Sequence, residues 1–403
     1  MRFNQKKSYA DVFHLHIQED IMRIMYIAPM FHTNQVPIIK GWVENGDNVT
    51  FVSHYKGKTE DHTYCIPIVL GYSSFFRFIY NLYLKATAKR NATSSRPEAF
   101  QDQFGYPSTK ELKQLLKEHK PELVILRERS IYSIKAYQIC KWQGIPCILY
   151  NQTPLWDTEA PRDDFAHKLV RALTPSVRMT PVYGDEKTGH NDGHSYFVPF
   201  VIEPNQSPSE HTYFADDKLH ILCVGKYEPR KNQLMLLHIL NELKESYPLH
   251  LTLVGEMSTE CHRQEFQKIT SYIAEHHLEA YVSLHTNCKP TDMPTFYQNA
   301  DLFILPSTGE FASISQLEAM SYSLPVIVSA ANGTACYVSH NQNGYLFEDN
   351  NESDLMDTML KLLPYRQKMM EFGAASYELV TTKYSFANYR NNIKKLFTFT
   401  KRK

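Results

Sequence analysis

The sequence predicts an α/β protein of two doubly wound, Rossmann-like domains facing each other across a cleft. Three observations carry this prediction. A chain of 403 residues is longer than one ordinary core organises. Short apolar runs alternate with amphipathic stretches along most of it, the signature of parallel β–α units. Around residues 203–217 the alternation stops in the polar, proline-containing stretch EPNQSPSEHTYFADD, and then it restarts.

In the first half, Ile24–Ala28 reads as a strand and Pro37–Glu44 as a short helix. Asn45-Gly46 is the break before the strand Asn48–Ser53. Leu123–Leu126 is the next strand, Ile131–Trp142 a helix ended by Gly144, and Pro146–Tyr150 a buried strand. Met179–Val182 and Tyr196–Phe200 complete this half. In the second half the strands are Leu219–Val224, Leu249–Val254, Tyr281–Leu284, Leu302–Leu305 and Val326–Ser329. Helices are expected over Gln233–Glu245, Glu265–Glu275, from about Ser313, over Asp354–Leu363, and through 365–398. The resulting division is an extension 1–20, a first domain 21–203, a linker 204–217, a second domain 218–380, and a tail 381–403 crossing back to the first domain. Residues 1–20 are charged and lack the apolar core of a signal peptide, and Met22 is an alternative start.

Composition narrows the function classes. Acidic and basic residues balance at 43 each, so no nucleic-acid footprint is expected. The seven cysteines have no CxxC pairing, which reads as reduced thiols in a cytoplasmic protein rather than a disulfide framework or zinc site. No run of about 20 apolar residues is present to span a bilayer.

Two segments of the second half carry chemistry. After the strand LHILCV comes Gly225-Lys226-Tyr227-Glu228-Pro229-Arg230-Lys231-Asn232, three cations in a strand–loop–helix turn with Asn232 as the expected N-cap. A solvated basic loop is the plainer alternative. After DLFILPS comes GEFASISQLEAM, with Glu310 and Glu318 separated by seven residues. Ser313…Gln316 and Ser315…Glu318 both spell capping boxes, so a helix should start at 313 or 315. Its N-terminal amides together with Lys226 and Lys231 would receive a diphosphate without a metal. Glu318 would then either close its capping box or accept two hydrogen bonds from a ribose diol, and Glu310 is otherwise a solvated loop acid.

GKYEPRK, LVGE, ADLFILPSTGEFASISQLEAM, SLPVIVSAANGT and NGYLFEDNNESDL, in this order, resemble the glycosyltransferases of family 4, retaining enzymes of the GT-B fold that use nucleotide-activated sugars. The resemblance is dense over about 218–365 and looser but collinear over 22–200. It implies that Gly225, Lys226, Lys231, Glu310, Phe311, Ala312, Ser313, Ile314 and Glu318 bind the donor. Lys226 and Lys231 stand where the family places an Arg and a Lys on the diphosphate, Glu310 lies beside the transferred sugar, and Glu318 takes the ribose hydroxyls. Lys226 departs from the family's Arg, and an ammonium cannot make the bidentate fork. Catalysis is expected from Glu310, Lys226 and Lys231, through stabilisation of the leaving diphosphate and front-face attack, with neither cofactor nor metal.

The first half departs further from the family. Its turn MFHTNQVP replaces the frequent Gly-Gly, so His32 and Asn34 are the cleft candidates there. Asn151 and Gln152 stand where many relatives carry a histidine. Residues 73–90 mix aromatics with Arg77 and Lys85, which fits either a helix packed on its own sheet or, with the basic C-terminus, a peripheral contact at the inner face of the membrane. His190 and His194 read as loop residues. The resemblance implies transfer of a sugar to a glycan or lipid-linked acceptor, in surface-polysaccharide (O-antigen or capsule-like) biosynthesis. The competing readings are a GT-B epimerase or phosphorylase, and a non-catalytic sugar-nucleotide-binding or scaffold subunit.

Overall fold

The computed structural model of the chain describes residues 21–57, 61–88, 97–128, 130–157, 165–310 and 312–401, so the expected extension 1–20 lies outside them. Two wholly parallel sheets organise the described residues. The first comprises β1 (Arg23–Ala28), β2 (Asn48–Ser53), β3 (Ile68–Val69), β4 (Leu123–Arg127), β5 (Cys147–Tyr150), β6 (Val177–Thr180) and β7 (Ser195–Phe197), in the order β3-β2-β1-β4-β5-β6-β7. The second comprises β8 (Leu219–Val224), β9 (Leu249–Gly255), β10 (Val282–Thr286), β11 (Leu302–Leu305), β12 (Val326–Ser329) and β13 (Gly344–Phe347), in the order β10-β9-β8-β11-β12-β13. Each order reverses direction once, between β1 and β4 and between β8 and β11. Ligand crevices of doubly wound sheets lie at such switch points, beyond the strand carboxyl ends.

Burial explains why the strands are apolar throughout. After Arg23 every residue of β1 is buried, as required of a parallel strand covered on both faces. Ile24 and Tyr26 pack on one side with Trp42, while Met25 and Ile27 pack on the other with Leu112 and Tyr132. Two expected strands are displaced. β6 stops at Thr180, ahead of Pro181, and β7 at Phe197, two residues ahead of Pro199, because proline cannot donate to a ladder. The helix expected from 265 begins instead at Glu260, where the Thr259 hydroxyl accepts from His262 N at 3.2 Å. β13 was not anticipated. Its Gly344 lies so close to the Val326 carbonyl that no Cβ would fit.

The stretch between β7 and β8 contains no helix or strand, yet it is laced to the second domain. Asn205 N and Gln206 N both donate to Ser321 O at 3.0 Å, and Phe214 N donates to Asp301 Oδ1 at 2.7 Å. Tyr337 of the second domain is fully buried, and its hydroxyl accepts from Phe200 N (2.9 Å) and donates to Pro181 O (2.8 Å).

The last helix, Phe386–Lys401, returns to the first domain, where Tyr389, Ile393 and Leu396 join the core around Trp42. Gly41 provides the close approach, since a Cβ there would run into the Phe386 ring. Trp42 Nε1 donates to Tyr26 Oη (2.8 Å), which meets Tyr389 Oη at 3.0 Å. Arg390 grips buried Asp47 with both branches, at 3.0 and 3.1 Å.

The helix Ser74–Ala88 packs one face on its own domain and leaves the other exposed. Phe76 packs inward against Tyr72 and Phe100, while Phe75, Phe78 and Leu82 point outward at 65%, 60% and 51% exposure. Among the described residues no helix is long and apolar enough to cross a membrane.

Candidate functional site

The turn after β8 is held from within. Tyr227 is fully buried, and its hydroxyl reaches Leu253 O (3.1 Å) and His285 O (2.9 Å), anchoring the loop on β9 and β10. Residues Pro229–Lys231 form a 3-10 turn, and Asn232 adopts φ +54 to redirect the chain into the helix Gln233–Leu243. Asn232 thus occupies the expected N-cap position, but makes no side-chain cap bond because its left-handed backbone already makes the turn. Gln233 Nε2 closes the loop on Lys226 O at 3.0 Å. Gly225 is small because the Lys231 stem lies over it, and a Cβ there would meet Lys231 Cδ at 3.1 Å.

This geometry separates the three cations. Lys226 turns outward and pairs with Glu256 at 3.0 Å, with its side chain half exposed. Serine and lysine partners, Ser258 before Lys226, hold the Glu256 carboxyl below its usual range. Lys231 is buried, and its ammonium pairs with the Glu310 carboxylate. Arg230, which sequence reasoning did not select, reaches the same Glu310 oxygen at 2.6 Å and Glu228 at 2.6 Å. The main chain adds to this junction, with Thr308 N donating to Arg230 O and Gly333 N to Glu310 O, both at 2.8 Å.

The helix Ile314–Ser321 begins between the two expected positions, with Ser313 as N-cap. Neither expected capping box forms. The Ser313 side chain makes no cap bond, because its hydroxyl meets Ser315 Oγ at 3.0 Å and Ser315 in turn donates to Val224 O at 3.1 Å. These bonds fasten the helix start to the end of β8. Glu318 is also drawn away from a local cap, accepting the Tyr297 hydroxyl at 2.7 Å. The residue is open to solvent, yet nearby protein partly desolvates its carboxyl. That desolvation raises its pKa, and the Tyr297 bond opposes the rise. Ala312, Ser313 and Ile314 lie at this helix start, whereas Phe311 is outside the described residues.

Across the cleft the first-domain candidates are mostly engaged with their own domain. His32 is exposed on the loop after β1, with surrounding protein lowering its pKa, and Gln35 Oε1 accepts from its main chain at 2.9 Å. Asn34 lines a narrow, largely apolar pocket with Tyr26, Arg127, Tyr150, Met179 and Phe200. Asn151 donates to Glu128 (3.1 Å), which holds Arg178 in a buried fork. Gln152 accepts from Arg127 (3.0 Å) and donates to Tyr150 Oη (3.2 Å). Arg127, at the carboxyl end of β4, is the cleft cation that sequence reasoning missed. The switch-point rule would have found it.

With this geometry in view, residues 208–379 match the family described as "Glycosyl transferases group 1". Mannosylfructose-phosphate synthase of Agrobacterium fabrum is 26% identical over 225 residues, covering 52% of this chain and 49% of that protein. A UDP-Gal:alpha-D-GlcNAc-diphosphoundecaprenol alpha-1,3-galactosyltransferase of Escherichia coli is 35% identical over 71 residues, 18% of each chain. These alignments span half or less of those curated relatives. Among solved structures, a glycosyltransferase from Rickettsia africae superposes with TM-score 0.68 at 14% identity, covering 94% of this chain and 99% of that one. The Anabaena protein HepE in complex with UDP gives 0.67 at 15% identity, covering 94% and 100%. The second half therefore matches the glycosyl transferases group 1 family, and over nearly its whole length the chain has the two-domain fold of the GT-B glycosyltransferases.

Proposed function

We propose that this protein is a retaining glycosyltransferase of family 4 type, a hexosyltransferase that moves a sugar from a nucleotide-diphosphate sugar to a glycan or lipid-linked acceptor. The observation that carries this reading is the meeting of Lys231, Arg230 and Glu310 ahead of the helix Ile314–Ser321, with Glu318 one turn further along. In this reading Lys231 and the helix amides hold the diphosphate, with Gly225 letting backbone approach it and Lys226 screening its outer edge. Glu318 takes the ribose hydroxyls and Glu310 the transferred sugar. The developing charge of the leaving group is met by fixed cations and amides, so the reading uses no metal. His32, Asn34, Asn151 and Gln152 belong to the acceptor side, with Arg127 and the apolar pocket beside them. A thermal-shift panel of UDP, GDP, ADP, TDP and CMP tests the reading. One diphosphate should raise the Tm of the wild type and leave Lys231→Ala and Glu318→Ala unmoved. No shift with any nucleotide would favour a non-catalytic subunit instead.

The reading extends to a surface-polysaccharide role at the inner face of the membrane. The outward stripe Phe75, Phe78 and Leu82 supports this, accompanied by exposed Arg77 and Lys85. From His62 to Pro97 the sequence contains no Asp or Glu, so this face suits an anionic lipid surface. The protein should sediment with phosphatidylglycerol vesicles and remain in solution with phosphatidylcholine ones. Equal behaviour with both would remove the electrostatic contact.

A further inference from the structure

Resting on this donor-site reading, we infer that the Glu310 carboxylate is an intramolecular stand-in for the donor's diphosphate. It occupies the anion position of the Arg230–Lys231 pair, and the donor must displace it to bind. Arg230 thereby becomes a diphosphate-binding residue alongside Lys231.

The geometry points to this in two ways. First, one oxygen of Glu310 receives both cations, Arg230 Nη1 at 2.6 Å and the Lys231 ammonium. A single anionic oxygen between a guanidinium and an ammonium, ahead of a helix N-terminus, is the arrangement a phosphate oxygen would take. Both side chains of the Lys231–Glu310 pair are about nine-tenths buried (9% and 11% exposed), so this is a built site and not a surface ion pair.

Second, the site has its charges already paired within the protein. Its three cations Lys226, Arg230 and Lys231 are matched by three carboxylates, Glu256, Glu228 and Glu310. A diphosphate entering that arrangement would meet no net positive charge and would press against Glu310. Among the described residues Glu310 is the carboxylate shared by the two cations nearest the helix start, so its departure frees Lys231 and leaves Arg230 held by Glu228 through one branch, with the other open to a phosphate oxygen. Once released, Glu310 is available to the sugar end of the donor. Donor binding then both fills the anion site and delivers the carboxylate, so that Glu310 engages the sugar only after a diphosphate has taken its cations.

The test is calorimetric titration of UDP, GDP and inorganic pyrophosphate into wild type and Glu310→Gln, a substitution that keeps the shape and removes the charge. A displaced stand-in predicts that Glu310→Gln binds at least one of the three about tenfold more tightly than wild type. The gain should vanish when Arg230→Ala or Lys231→Ala is added, and should persist on Glu318→Gln. Glu310→Ala repeats the comparison without the amide. If wild type binds a diphosphate and both Glu310 variants bind it equally or more weakly, the stand-in inference falls while the donor site survives. If folded wild type and folded Glu310→Gln bind none of the three, the donor-site reading falls and takes the inference with it.

Discussion

Lys231→Ala should transfer sugar about 10³-fold more slowly than wild type, a loss of about 4 kcal/mol of transition-state stabilisation. The size follows from where the ammonium lies. It is buried and held over Gly225, so its charge acts through protein rather than water. A preorganised cation of this kind holds the diphosphate in the bound donor and holds it more strongly as it departs, so the loss should appear in kcat as well as in KM. Lys231→Arg should not restore the rate, because a planar guanidinium cannot take the place of a compact ammonium in the buried pair with Glu310. Lys226→Ala should cost far less, about tenfold, since its half-exposed ammonium is shared with Glu256 and screened by solvent. Steady-state kinetics on the three variants decides the ranking. Equal losses for Lys226→Ala and Lys231→Ala would return Lys226 to the centre of the site.

Arg390→Ala should destabilise the first domain by about 3 kcal/mol or more, although it lies far along the chain from that domain's strands. The cause is Asp47, whose side chain is only 1% exposed and would be left charged and buried beside Met22 N and Asn45 Nδ2. Urea unfolding followed by tryptophan fluorescence would register the loss. The paired replacement Asp47→Asn with Arg390→Met should recover most of it, because removing both charges avoids the stranded carboxylate. An unchanged midpoint for Arg390→Ala would mean that the last helix is held by its apolar face alone.

Much of this was legible in the sequence because both sheets are parallel and buried. Runs such as LFIL and VIVS read as strands covered on two sides, and their ranges Leu302–Leu305 and Val326–Ser329 match the structure. Lys231 was legible from its place in the turn after a strand end, while Glu310 was picked out by the resemblance, and the structure brings the two into contact. What was illegible depends on backbone detail that residue identity does not report. Arg230 reaches Glu310 because a 3-10 turn and a left-handed Asn232 swing it round, and the same turn sends Lys226 outward. Ser313 and Ser315 spell capping boxes, but nearby partners compete for their hydroxyls, and Tyr297 competes for Glu318. Asn151 and Gln152 gave no sign of their partners, because Glu128, Arg178 and Arg127 are distant in sequence.

The return of the last helix has a consequence for how the chain matures. Domains emerging from a ribosome usually fold in the order they are made. Here Trp42, Tyr26 and Asp47 await Phe386, Tyr389 and Arg390, which are synthesised more than three hundred residues later. The first domain to appear is therefore the last to close, and its apolar flank around Trp42 stays uncovered while the second domain is translated. A nascent chain stalled before Phe386 should present that flank to chaperones, and one extended past Lys401 should not.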